Sequence, residues 1–321
     1  MEWIECVRWC HWNEDQESVD ALIELLTDLS LRSRYSTPIL TKMQYEAGDC
    51  VGGYVVLYPG ALASVGNLRS ESRDNGDRDN GDRGNEFLVK SARELFQAAF
   101  DSGAEMVQAI SPLIASPVSN NTESAFVSPD PHRDDVLRKA GMQPVAKLVQ
   151  MECLGIPTVE RPGIPSVGKG ASELAFVSHH ELSSNQWSQL VERTYVETRD
   201  VPELNGLRDI ESTLEGYGST IEGVPKTWWA VQCQGVNIGC LLLTPAATQW
   251  CEITYLGLVP EWRGQGLSKV VMNFVRDWAM ERGIEGLTLA VDLRNTPAIR
   301  LYQSCGFVTQ RFVQAWICFP K

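Results

Sequence analysis

The sequence predicts an α+β protein made of two tandem copies of one fold, and three observations carry that prediction. The chain has 321 residues, room for about two domains at the usual ~150 residues each. Short β-rich apolar runs alternate with segments of helical periodicity. The order helix, glycine, strand also recurs between the halves. LFQAAFDSGAEMVQAIS parallels VRDWAMERGIEGLTLAVD, and VLRKAGMQPVAKLVQMEC parallels RLYQSCGFVTQRFVQAWIC, as a duplicated unit would.

Two stretches punctuate the chain. RDNGDRDNGDRGN, from Arg73 to Asn85, offers no apolar residue to bury and reads as a disordered loop near residues 70–85. The run from Leu154 to Gly170 holds GIPTVERPGIPSVGKG, whose prolines and glycines favour an extended linker. The expected division is therefore a first domain over residues 1–153, a linker over 154–171 and a second domain over 172–321.

After the linker, Leu174 to Ser178 reads as a strand. Ser184 to Thr198 and Glu203 to Tyr217 read as helices, the second introduced by Asp200 and Pro202. Three β-rich runs follow: TWWAVQC, IGCLLL and CEITYLGLV. The helix expected over Ser268 to Glu281 spaces Val270, Val271, Phe274 and Trp278 so that one face is buried, and Gly283 ends it. The strand LTLAV then leads to a helix from Pro297 to Ser304, stopped by Gly306, and to a last strand, FVQAWICF.

Composition narrows the function. Hydrophobic residues at 43% and charged residues at 21% are ordinary for a folded chain and exclude a disordered or collagen-like one. The net charge of -13 repels phosphate backbones, so nucleic acid is not an expected partner. Residues 1–160 hold 14 basic and 25 acidic residues, whereas residues 161–321 hold 14 and 16, so only the second half suits an anionic ligand. No apolar run approaches the about 18 residues that span a bilayer, and the start, MEWIECVRWC, carries acids where a signal peptide has cations. The expectation is a cytoplasmic protein with no membrane partner. Nine cysteines, several inside apolar runs (Cys233, Cys240, Cys251, Cys318), fit reduced core thiols. Cys6, Cys10 and His11 form half of a zinc pattern, but no second ligand pair follows, and no metal is expected.

The strongest local signal is YLGLVPEWRGQGLSKVV. An apolar strand and a proline precede Arg263-Gly264-Gln265-Gly266, which opens a helix. Such a loop aims bare backbone N–H groups and the positive end of the helix dipole at one point, where a pyrophosphate fits. An ordinary tight turn has the same outline. The phosphate-loop and dinucleotide patterns do not match, since neither Gly-Lys-Ser/Thr nor G-x-G-x-x-G is present here.

Arg263-x-x-Gly266-x-Ser268 resembles the acyl-CoA pyrophosphate motif R/Q-x-x-G-x-G/A of the GNAT N-acetyltransferases. Asn295, Ala298, Leu301, Tyr302, Gly306 and Phe307 are similar to that family's later N-x-x-A-x-x-L-Y-x-x-x-G-F segment. Ser268 departs from the usual Gly or Ala but stays small. The resemblance covers residues 172–321, and residues 1–153 only through the repeat. It implies that each domain is a mixed, mostly antiparallel sheet flanked by helices, and that the donor is acetyl-CoA. It also implies that the backbone of Leu256 and Leu258, with Val259, holds the pantetheine arm. Arg263, Gly264, Gln265, Gly266, Leu267 and Ser268 would form the pyrophosphate loop, with Asn295, Ala298 and Tyr302 alongside the arm. Asn295 also suits a helix cap at Pro297.

In that family a tyrosine placed like Tyr302 protonates the departing thiolate, and a carboxylate placed like Glu252, eleven residues before Arg263, is a frequent base; water is the other candidate. Aromatic packing for Tyr302 and a solvated strand-end carboxylate for Glu252 are the plain alternatives. The first domain offers Asp74, Asp77, Asp79 and Asp82 where the loop should fall, and Leu137 where Tyr302 should align. It reads as a degenerate copy, because those acids repel a pyrophosphate. A tandem pair with an active C-terminal half resembles the arrangement of the mycothiol synthases. The resemblance implies acetyl transfer to a primary amine of a small molecule. Acetylation of a protein N-terminus or lysine and non-catalytic acyl-CoA binding are the alternatives. Tyr195, Asp200, Glu203, Arg208 and Tyr217 are candidates for the acceptor side, where acids would suit a cationic amine. His179 and His180, adjacent at a strand end and so on opposite faces, are expected to be structural. The oligomeric state is left open.

Overall fold

The computed structural model describes residues 38–39, 50–58, 62–71, most of 89–115, 126–128, 131–155, 174–217, 227–245 and 249–320. The expected loop over Arg73–Asn85, the 156–171 part of the linker, and Cys6, Cys10 and His11 lie outside the described residues. The chain forms two compact units. One is Met1–Ala146 with Phe312–Lys321, and the other is Lys147–Arg311.

In the first unit, strands β1 (Pro38–Ile39), β2 (Cys50–Tyr58), β3 (Leu62–Glu71) and β4 (Met106–Ala115) are neighbours in that order. The β1–β2 and β2–β3 pairs are antiparallel, and β3–β4 is parallel from Leu62↔Met106 to Val65↔Ala109. A short β5 (Phe126–Val127) adds to β4. Helix α1 (Pro131–Ala140) then leads into β6 (Gln143–Leu154). Helical residues between 89 and 101 bury Val89, Ala92, Phe96 and Ala99, a spacing of three and four that gives one apolar face. That face meets Val136, Leu137 and Ala140 of α1 and Val107 and Ala109 of β4.

The last strand of this sheet comes from the far end of the chain. Phe312–Cys318 runs antiparallel to β4, from Phe312↔Leu113 to Cys318↔Val107. Trp316 completes the core and donates its indole N–H to Ser111 Oγ at 2.9 Å.

The second unit holds β7 (Leu174–Ser178), α2 (Ser184–Tyr195), α3 (Ile210–Tyr217), β8 (Thr227–Cys233), β9 (Val236–Pro245) and β10 (Trp250–Leu258). It continues with α4 (Leu267–Glu281), β11 (Gly286–Asp292), α5 (Thr296–Ser304) and the start of β12 (Val308–Cys318). Strands β7 to β10 form an antiparallel meander, β10–β11 is parallel, and β11 pairs antiparallel with the Leu148–Leu154 part of β6. Both units therefore follow one plan, with an antiparallel pair, a parallel step and an antiparallel closing strand.

Adjacent tryptophans show how this sheet is covered. Trp228 faces α2 and α3 in a cluster with Trp187, Leu190, Val191, Leu214, Cys240, Leu242 and Val259. Trp229 points the other way and meets Phe274 and Trp278 of α4 edge-on, at 5.3 and 5.7 Å between centroids. Alternation along one strand thus anchors a helical layer on each face.

Three expectations need correction. The helix expected over Glu203–Tyr217 is a short 3-10 turn, Pro202–Leu204, followed by α3 from Ile210. Asp209 intervenes as a cap, accepting from Ser212 N–H at 2.7 Å, and so starts a new helix. His179 and His180 do not diverge: the chain turns at Ser178, whose Oγ accepts from His180 N–H, and the two rings lie 3.8 Å apart. The third difference is that the units are not consecutive in the chain, because each is closed by the strand that ends the other half. The two closing strands follow matching helix-glycine segments, α1-Gly141 and α5-Gly306, so local sequence gives either strand the pattern that either sheet accepts.

Candidate functional site

The site begins where β10 and β11 part. They pair only at Trp250↔Gly286, Cys251↔Leu287 and Glu252↔Thr288, although β10 continues to Leu258 and β11 to Asp292. On its other edge β10 stays with β9 as far as Leu258↔Gly239, and Val259 N–H donates to Ile238 O at 2.9 Å. Backbone polar groups alternate sides along a strand. With Val259 turned toward β9, Leu256 and Leu258 turn theirs toward the gap. A register shift between Ile253 and Tyr255 marks the point of divergence, as bulges do beside many sites. The β10 edge at Leu256 and Leu258 is therefore unpaired with β11, whereas the Val259 N–H is engaged.

At the end of that edge lies the glycine loop. Gly264 and Gly266 have φ of +72° and +78°, the left-handed region, and a Cβ at either position would meet nothing within 4 Å. Gly266 caps α4 without a side-chain bond. Among the described residues, no carbonyl accepts from the backbone N–H groups of Gly264, Gln265, Gly266, Leu267 or Ser268, while Lys269 N–H turns back to Gly266 O. These open donors sit at the positive end of a 15-residue helix. Gln265 Nε2 donates to Glu261 O at 2.9 Å, and Leu267 is buried beneath the loop.

Arg263 anchors the start of the loop. Its guanidinium donates to three carbonyls: Leu258 at 2.8 Å, Thr194 at 2.9 Å and Glu197 at 3.0 Å. The side chain ties the end of β10 to the end of α2, where Glu197 turns with a φ of +53°. What the loop offers an anion is backbone.

Tyr302 is buried on α5, 5.7 Å from the Phe307 ring. Burial, then the charges of Asp200 and Cys305, hold its hydroxyl well above the ordinary tyrosine range, so it stays protonated at neutral pH. Asn295 caps α5, its Oδ1 accepting from Ala298 N–H at 3.4 Å. Glu252 is half-buried on β10 at the last rung shared with β11.

The acceptor candidates separate into two groups. Tyr195, Tyr217 and Tyr255 form a phenol cluster. Tyr195 donates to Tyr217 at 3.2 Å, Tyr255 lies 3.0 Å from Thr194 Oγ1, and the Tyr217 and Tyr255 rings stack at 5.8 Å. Burial pushes Tyr217 up to about 12 and the neighbouring Cys240 thiol likewise to about 12. Arg208 donates to Ser212 O at 2.8 Å, back onto α3. The second group centres on Asp292, which is fully buried at the end of β11. Arg294 donates to it through its backbone N–H at 2.8 Å and through Nη2 at 2.6 Å, and Val201 N–H adds a bond at 3.1 Å. Arg294 also grips Glu203 in a fork and holds that carboxyl below its usual range. Asp200 accepts from Asp292 N–H at 2.8 Å. Nothing in the sequence singled out Asp292 or Arg294, since their contacts with Asp200, Val201 and Glu203 span about ninety residues of chain.

Residues 186–307 match the model of the acetyltransferase (GNAT) family. This segment belongs to the GNAT acetyltransferases. Part of the chain is 38% identical over 56 residues to a mycothiol acetyltransferase of Thermobifida fusca, a match covering 17% of each chain. Another part is 35% identical over 83 residues to a streptothricin acetyltransferase of Streptomyces lavendulae, covering 26% of this chain and 44% of that one. The chain thus matches less than half the length of these curated GNAT relatives. A crystal structure of a GCN5-related N-acetyltransferase from Sphaerobacter thermophilus shares the fold, with a TM-score of 0.50 and 17% identity over 98% of this chain and 89% of that one. The GNAT segment lies within the second unit and contains the splayed strands, the glycine loop and Tyr302.

Proposed function

We propose that the protein transfers an acetyl group from acetyl-CoA to a primary amine of a small molecule. The observation that carries this reading is the divergence of β10 from β11, with an edge at Leu256 and Leu258 that β11 does not pair, the Leu258 carbonyl being held by Arg263, leading to the open N–H groups of Gly264–Ser268. An extended pantetheine arm suits the edge as an added strand would, and a pyrophosphate suits the loop. Fit is supported by the empty space at both glycines. The names of the mycothiol and streptothricin acetyltransferase relatives favour a small acceptor.

The donor supplies an activated acyl carbon, and the chain's residues orient it and manage protons. Tyr302, kept protonated by burial, is the proposed acid for the departing sulfur. Asn295 and Ala298 open the helix that carries it. Glu252, or water reaching it, is the base that family resemblance suggests. The first unit is proposed to be non-catalytic, since Leu137 is fully buried in its core and carries no hydroxyl. Thiol release measured with acetyl-CoA and a panel of primary amines tests the reading. Amine-dependent release supports it, and binding of acetyl-CoA without release under any amine contradicts it.

A further inference from the structure

We propose that the segment from Val196 to Asp209, which joins α2 to α3, is a strap latched across the open end of the β10–β11 pair by Asp292 and Arg294, and that it must unlatch to admit the acceptor. The route of the acceptor rests on the acetyl-transfer reading, whereas the latch stands on geometry alone.

Both sides of the gap hold the strap. On the β10 side, Arg263 donates to Glu197 O at 3.0 Å while it also holds Leu258 O at 2.8 Å. On the β11 side, Val201 N–H donates to Asp292 Oδ2 at 3.1 Å, and Asp200 Oδ1 accepts from Asp292 N–H at 2.8 Å. Arg294 adds a fork onto Glu203, with Nη2 donating to Oε2 at 2.8 Å. Asp292 lies four residues beyond Thr288, the last β11 residue paired with β10. The strap therefore crosses from one diverging strand to the other.

Little else retains it. From Val196 to Asp209 no residue is buried, and Val196, Leu204 and Leu207 expose their apolar side chains. A segment with so few buried apolar contacts opens locally while the rest of the fold stays intact. Water also reaches the latch, since the Arg294 and Glu203 side chains are 39% and 44% exposed. The closed form is strained as well. Val201 has a φ of +42° and a ψ of +58°, a left-handed conformation that a β-branched residue adopts only when its surroundings impose it. Glu197 has a φ of +53°. The third non-glycine residue with positive φ among the described residues, Gln234, sits with Gly235 in the β8–β9 hairpin turn, where such angles are ordinary. The bonds of Asp200 and Val201 to Asp292 hold the strained residue in place, and their loss releases it.

The face decides what passes. Trp228 packs on α2 and α3, and Trp229 packs on α4 from the opposite side of the sheet. The open N–H groups of the glycine loop begin α4. A donor seated on them leaves the face of α2, α3 and their strap to the acceptor.

Hydrogen–deuterium exchange on the full-length chain tests the latch, with wild type, Glu203→Gln and Val201→Asn compared. Glu203→Gln keeps the side-chain shape and removes the charge that Arg294 grips. Val201→Asn supplies a residue that tolerates the left-handed region. Amides of residues 196–209 should exchange at least about threefold faster in Glu203→Gln and slower in Val201→Asn, with β8 to β10 unchanged in both. For a primary amine that supports thiol release, kcat/KM should rise in the first variant and fall in the second, with KM for acetyl-CoA constant. Exchange that is unaltered over 196–209, or altered equally throughout the sheet, would overturn the latch. Amine kinetics that ignore an altered exchange would overturn the gate. Should wild type turn over no amine, the acetyl-transfer reading and the acceptor route fail together, and the exchange rates still decide the latch.

Discussion

Tyr302 and Asp200 sit on different elements, and a single substitution tests each by itself. Tyr302→Phe keeps the ring packed on Phe307 and removes only the hydroxyl, so kcat should fall about 100-fold with acetyl-CoA affinity intact. Wild-type kcat in that variant, measured by thiol release, would make Tyr302 a packing residue. Asp200 also has a stability signature. Its folded-state carboxyl is raised, so the folded protein binds that proton more tightly than the unfolded chain, and ionisation costs stability. The cost is absent below the ordinary carboxylate range near ~3.9 and fully present above the raised value. The gap in melting temperature between Asp200→Asn and wild type should therefore widen as pH rises through this window, and a constant gap would contradict the burial argument. Tyr302 was legible in the sequence because a motif surrounds it. The anchoring of Asp200 was not, because its partners Asp292 and Arg294 are distant in the chain and ordinary in sequence context.

At the scale of elements, the loop from Val259 to Gly266 joins a strand that has lost its neighbour to a helix whose first N–H groups are open. Strand β10, the glycines and α4 could be read from apolar alternation and helical spacing. The bonds of the Arg263 guanidinium could not, since the motif only places Arg263 in the loop and the fold alone shows the carbonyls of Thr194 and Glu197 within its reach. Arg263→Lys cannot keep three planar donors. With charge-assisted bonds contributing roughly 1.5–3 kcal/mol each when intact, urea unfolding should show a loss of about 2 kcal/mol or more. An unchanged midpoint would contradict this anchoring by the guanidinium. The break between the 3-10 turn and α3 was equally hidden, because Glu203–Tyr217 is periodic enough for one helix until Asp209 is seen to cap the second.

For the whole molecule, duplication was visible in the sequence and strand exchange was not. The two helix-glycine-strand endings are similar, and a pattern that fits both sheets cannot say which it joins. A consequence follows for truncation. A fragment of residues 172–321 lacks Leu148–Leu154, the antiparallel partner of β11, and leaves an apolar strand edge bare. It should aggregate or unfold, as gel filtration would show, whereas a monomeric, folded fragment would contradict the exchange. The proposal that one unit alone handles the donor is tested most directly by calorimetric titration of acetyl-CoA into the full chain and into Gly266→Glu, which places a side chain and a negative charge at a φ of +78° in front of the open N–H groups. The account predicts one site per chain, abolished or weakened at least about tenfold in the variant; two sites per chain, or affinity unchanged by the substitution, would contradict it.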